Sequence, residues 1–117
     1  MDVCLISFKI VLPAIRDVLT PDRGQVLCLI KPQFEAGKEK VGKNGVVRDP
    51  QVHQQVLDSF LALAKELEFT VLGLTYSPVK GPAGNIEFLG HLTLADKEGI
   101  RPDTQILVLQ AHEALKG

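Results

Sequence analysis

Apolar positions along the chain keep two different rhythms, and the changes of rhythm divide it into elements. In SFKIVLPAIRDVL, from Ser7 to Leu19, the apolar residues Ile10, Val11, Ala14, Ile15, Val18 and Leu19 share one side of a helix. Ser7 offers a side-chain oxygen to cap it, and Pro13 either kinks this helix or marks its first turn. TPDRG, Thr20 to Gly24, is turn chemistry. QVLCLI, Gln25 to Ile30, is then apolar almost without interruption, as expected of a strand buried on both faces in a parallel sheet.

The strongest helix signal comes next. Asp49 is a capping residue, Pro50 suits a first helical position, and Val52, Val56, Leu57, Phe60, Leu61, Ala64 and Leu67 form one broad apolar face. FTVLGLTY (69–76) and IEFLGHLTL (86–94) read as strands joined by the loop SPVKGPAGN. Its nine residues are too few for a helical crossover, so the two strands are expected to run antiparallel. In the tail, Asp103 or Thr104 can open a short helix, while ILVL also suits a strand; the helix is the preferred reading. Helix, strand, helix, strand, strand is an α/β order ending in an antiparallel hairpin. Such a sheet normally begins on strands, so a chain that enters almost on a helix reads as the back half of a larger domain.

Composition narrows the class. A chain of 117 residues, 45% hydrophobic and 23% charged, is globular rather than disordered. With 13 basic and 14 acidic residues the net charge is -1, so nucleic-acid binding has to come from a local patch or another domain. Cys4 and Cys28 sit in apolar runs without His or Cys at metal-ligand spacing, and read as small buried hydrophobes of a reducing, cytoplasmic compartment. Asp2 and Lys9 interrupt the apolar start, which argues against a signal peptide. No run nears the roughly 18 apolar residues of a membrane span.

One position does not suit a core. Lys31 follows Ile30 at the end of an apolar strand, where burying an ammonium is costly without a partner or a task. With a right-handed crossover, strand 69–76 runs parallel to strand 25–30, and strand 86–94 antiparallel to both. The beginning of the last strand then shares a rim with the end of strand 25–30, which brings Glu87 to Lys31. Open α/β sheets place their sites along that rim. The two residues form either a structural ion pair or a lysine held beside a carboxylate to orient or accept a proton. A third arrangement leaves Glu87 facing solvent.

KPQFE at Lys31–Glu35, GKNGVVRDP at Gly42–Pro50 and SPVKGPAGNIEFL at Ser77–Leu89, in that order, resemble the hemolysin A (TlyA) family. Members of that family are FtsJ-like, S-adenosylmethionine-dependent 2′-O-ribose methyltransferases of ribosomal RNA. The opening DVCLISFKIVLPAI resembles the same family, departing at Cys4-Leu5, and the resemblance ends near Leu94. It implies the C-terminal half of a Rossmann-like methyltransferase sheet over residues 1–94, without the cofactor-binding first half, and a tail over 95–117. Of the family's Lys-Asp-Lys-Glu tetrad, the resemblance puts three members at Asp2, Lys31 and Glu87. The first lysine and the glycine-rich cofactor loop have no counterpart here, so this chain alone is not expected to transfer a methyl group or bind S-adenosylmethionine measurably.

By the same resemblance Lys31 is expected to deprotonate or orient the ribose 2′-hydroxyl, with Asp2 and Glu87 holding its ammonium. Lys38, Lys40, Lys43 and Arg48 on the long loop are the candidates for RNA phosphates, and Asn85 for a substrate contact. Glu35, Glu39 and Asp49 leave that loop only slightly positive. Ribosomal RNA is the implied partner, with no role for a membrane. An incomplete fourth strand would leave one flank of strand 25–30 unpaired, to be covered by Val3–Ile6, by the tail around Ile106–Leu109, or by a second copy. The second copy, and so a homo-oligomer, is the favoured outcome. A non-catalytic interaction domain that binds through the same edge is the alternative from a different class.

Overall fold

The computed structural model describes residues 2–4, 7–18, 24–42 and 45–116. Its helices begin where the capping signals lie. Strand β1 (Asp2–Cys4) leads to helix α1 (Phe8–Val18), where Ser7 Oγ accepts from the Lys9 N–H at 3.2 Å. Pro13 lies inside α1 rather than in its first turn. After strand β2 (Gln25–Ile30), Pro32 opens a single-turn helix, α2 (Pro32–Glu35). Helix α3 (Pro50–Glu66) starts as expected: the Asp49 carboxylate accepts from the Gln51 N–H at 2.9 Å, and Pro50 fills the first position, where a missing donor costs nothing.

The remaining elements are strand β3 (Thr70–Tyr76), strand β4 (Phe88–Thr93) and helix α4 (Thr104–Ala114). The tail is therefore helical, as preferred. Asp103 caps it by accepting from the Ile106 N–H at 3.0 Å, and Thr104 Oγ1 donates to Asp58 of α3 at 2.7 Å. The sheet runs β1-β2-β4-β3, with β4 antiparallel to both β2 and β3. Strands β2 and β3 thus point the same way without touching, as the crossover argument requires.

All three long helices contribute to one core. Val26, Cys28, Ile30, Phe88 and Leu92 of the sheet meet Phe8 and Leu12 of α1, Leu57 and Phe60 of α3, and Leu107, Val108 and Ala111 of α4. Here one expectation is corrected. Strand β2 is fully buried on one face only, and Leu27 and Leu29 on the other are half-buried. The continuous apolar run follows from a covered face plus a partly covered one, because the long helices share a single side. Gly90 lets this packing close: a Cβ there would lie 2.6 Å from the Phe60 ring. Gly90→Ala is expected to lower stability by about 1–3 kcal/mol through overpacking, read as a fall in urea midpoint at unchanged slope.

A second correction concerns the flank of β2. Strand β1 pairs with it in parallel, Asp2 with Val26, Val3 with Leu27 and Cys4 with Cys28. The chain supplies its own neighbour over these positions, which removes the open edge on which a second copy was expected to dock. Residues 5 and 6 of the proposed Val3–Ile6 cover lie outside the described residues. Among the described residues, no helix is long and apolar enough to cross a membrane.

Candidate active site

The antiparallel register decides which charges meet. Ile30 pairs with Phe88 at the end of β2, so the next residue on one strand, Lys31, faces the preceding one on the other, Glu87. Lys31 Nζ lies 3.2 Å from Glu87 Oε2, with the two side chains 16% and 5% exposed. Glu87 sits just ahead of β4 rather than one residue inside it. Lys31 keeps an extended backbone because Pro32 begins α2 directly after it.

Two neighbours that sequence reading missed complete the carboxylate's surroundings. Gln33 Nε2 donates to the same Glu87 Oε2 at 3.0 Å, so one oxygen receives two donors. The amide must present its NH2 to a carboxylate, which leaves Gln33 Oε1 as a buried acceptor without a partner among the described residues. Gly81 makes room: a Cβ at that position would overlap the Glu87 carboxylate. Phe34, half of it exposed, lies with its ring centroid 5.6 Å from Lys31 Nζ. A lysine followed by a Pro-initiated turn was the available hint, since such a turn brings residues 33 and 34 back toward the strand end.

Glu35, at the end of the same turn, anchors α2 to the start of α1. Its carboxylate accepts from Ser7 Oγ at 2.7 Å and from the Phe8 N–H at 3.0 Å. A carboxylate at a helix N-terminus also opposes the positive end of the helix dipole.

The other expected residues fall elsewhere. Asp2 opens β1 opposite Val26, five residues ahead of Lys31, or roughly 16 Å along the strands. The backbone register therefore does not bring Asp2 to the Lys31–Glu87 rim, and its side chain lies outside the described residues. Asn85, expected to contact substrate, is 2% exposed and braces two loops instead. Its Oδ1 accepts from the Val47 N–H at 3.0 Å and its Nδ2 donates to the Gly45 carbonyl at 3.0 Å. Lys40 donates to Gln55 at 3.0 Å on the surface of α3, and Arg48 is exposed. The Lys38 side chain and all of Lys43 lie outside the described residues. Cys28 is buried in the core, and no cluster that could hold a metal ion occurs among the described residues.

His53 is buried completely and joins α3 to α4. Its Nδ1 lies 2.8 Å from His112 Nε2 and its Nε2 3.0 Å from the Val47 carbonyl oxygen. Burial, and then the neighbouring His112, lower its pKa from the usual 6.5 to about 4; the Val47 carbonyl and Asp49 pull weakly the other way. His112 is also lowered, by burial first and by Lys80, against the pull of Asp49.

A lysine and a glutamate are thus joined at the strand-end rim of an α/β sheet, where open sheets of this kind place their sites. The chain belongs to the FtsJ-like methyltransferase family, whose model matches residues 1–94. It is 43% identical over 121 residues to "Putative rRNA methyltransferase YqxC" of Bacillus subtilis, covering 99% of this chain and 43% of that protein. To "16S/23S rRNA (cytidine-2'-O)-methyltransferase TlyA" of Mycobacterium tuberculosis it is 40% identical over 87 residues, 74% of this chain and 32% of that protein. Its fold matches a solved "Putative hemolysin from Streptococcus thermophilus" with a TM-score of 0.87 and 42% identity, over 98% of this chain and 42% of that one. The chain thus spans less than half the length of each of these relatives.

Proposed function

We propose that this chain forms the substrate-hydroxyl half of the active site in an S-adenosylmethionine-dependent 2′-O-ribose methyltransferase of ribosomal RNA. The observation that carries this reading is the largely buried Lys31–Glu87 pair at the end of β2, in a chain of the FtsJ-like family. S-adenosylmethionine supplies an electrophilic methyl group. Among the described residues, no cradle for it is formed. Gly42 and Gly45 follow a turn of 3-10 helix (Lys38–Lys40) rather than a strand, so no glycine-rich strand-to-helix turn is built around them.

What these residues do is position a hydroxyl. Glu87 and Gln33 hold the Lys31 side chain at the rim, and the ammonium points a remaining N–H at the ribose 2′-oxygen. The task of Lys31 is then to orient the hydroxyl: the O–CH3 bond forms as the S–CH3 bond breaks, and the hydroxyl proton leaves to solvent water. Asp2 enters this reading on the resemblance alone. The C-terminal half of a Rossmann-like sheet, with further parallel strands beyond β1, is the architecture that goes with it.

The test is methyl incorporation from labelled S-adenosylmethionine into ribosomal subunits by an intact protein that carries this segment. A modified nucleotide that resists alkaline cleavage at its own 3′-phosphodiester identifies the 2′-oxygen as acceptor. Base methylation, or no incorporation, would overturn the reading. Calorimetry of the 117-residue chain with S-adenosylmethionine is expected to show no binding in the micromolar range.

A further inference from the structure

A second concavity, at the end of α4, has no part in the chemistry above. About 360 Å3 in volume, it lies between three segments. These are Val46–Arg48 ahead of α3, the connection from Lys80 to Ile86 ahead of β4, and the last turn of α4 with Lys116. Arg48, Lys80 and Lys116 line it, and among the described residues no Asp or Glu does. The whole chain has a net charge of -1, so three cations around one cavity are a local concentration of sign.

Neighbouring negative groups do not cancel it. Glu113 pairs with Lys116 at 3.0 Å, but their side chains are 75% and 71% exposed, and such a pair exchanges readily with a competing anion. Asp49 is committed to capping α3. The carbonyl end of α4 is weakly negative, and Lys116 sits where it offsets this.

The walls are braced by buried polar groups. Asn85 ties the loop before β4 to Val47 and Gly45, and His53 ties Val47 to His112. Ala83, which faces the cavity, is held at a φ of 59°, a left-handed conformation that a non-glycine residue keeps only when its surroundings impose it. The three cations therefore surround a preformed hollow.

We propose that this cavity is a phosphate-binding site for the RNA backbone, with Arg48, Lys80 and Lys116 as its cationic contacts. RNA as the source of the phosphate rests on the methyltransferase reading. The loop that walls the cavity at Ile86 carries Glu87 as its next residue, so a strand presenting a ribose to Lys31 has a neighbouring phosphate within reach of it.

Fluorescence anisotropy of the 117-residue chain with a labelled single-stranded ribosomal RNA fragment tests this, with inorganic pyrophosphate as competitor. Lys80→Ala and Lys116→Ala are each expected to weaken RNA binding about threefold to tenfold. Each is also expected to flatten the dependence of log affinity on log salt by about one unit. Pyrophosphate should displace the RNA and shift the Gly84 amide resonance. Lys97→Ala, at an exposed position outside the cavity lining, should change nothing. Because the altered side chains are exposed, circular dichroism melts should match the parent's.

If a variant combining Lys80→Ala with Lys116→Ala binds RNA with parental affinity and salt slope, or if neither probe binds the parent, the cavity is not a phosphate site. An intact protein that transfers no methyl group would overturn the methyltransferase reading and not the cavity, which the anisotropy decides.

Discussion

Replacing Lys31 by alanine in an intact protein that carries this segment is expected to lower methyl transfer at least about a hundredfold, with S-adenosylmethionine affinity nearly unchanged. The asymmetry follows from position, since the ammonium is held at the rim by Glu87 and Gln33 and serves the hydroxyl. Stability has to be separated from chemistry, because the substitution also strands a carboxylate. Removing one partner of a fully buried ion pair costs about 3–5 kcal/mol. The figure is smaller here because the Lys31 side chain keeps 16% exposure. Adding Glu87→Gln to Lys31→Ala removes the stranded charge, so the double variant should regain urea stability and remain inactive. A Lys31→Ala protein that keeps more than about a tenth of the parental rate would remove the lysine from a central role.

Acid is expected to loosen the junction of α3 and α4. The His53 pKa is about 4 in the folded chain, below the 6.5 of a free histidine. Between these values the unfolded chain takes up a proton that the folded one refuses. The contribution of His53 is therefore complete above about pH 6.5 and is lost as pH falls toward 4. A shift of about 2.5 units corresponds to about 3 kcal/mol at most. His112 is displaced in the same direction. Urea titrations at pH 7 and 4.5 should show a fall of about 2–3 kcal/mol in the parent. A markedly smaller fall is expected in His53→Asn, which cannot titrate but is also less stable at neutral pH. Every other group is common to the two proteins, so the difference between the two curves isolates the histidine. Identical slopes against pH would show that His53 does not couple the two helices to acid.

Several misreadings share one cause. The QVLCLI run shows how apolar β2 is but not how many of its faces are covered, and α1, α3 and α4 all chose one side. Asn85 was read from its place in a loop ahead of Glu87, where a polar side chain suggests substrate. Its amide instead satisfies the backbone of Val47 and Gly45, some 40 residues away in the chain. Asp2 was expected by resemblance to hold the Lys31 ammonium, and the register with Val26 sets its backbone five residues away along the strands.

The sequence by itself determined the elements whose signals are local: the Asp49-Pro50 start of α3, the apolar face behind it, the β2 run, and the Asp103 cap of α4. It also brought Lys31 and Glu87 to one rim of the sheet, and the structure decided that their side chains meet. A connection too short for a crossover forces antiparallel pairing, and antiparallel pairing puts the end of one strand beside the beginning of another. Only the tertiary structure decided the rest: the second donor from Gln33, the space left by Gly81, the His53–His112 contact and the ring of cations around the cavity. Caps, prolines and periodicity act within a few residues of each other. The partner of a buried polar group is whichever distant segment packing brings within about 3 Å, and no local pattern encodes that choice.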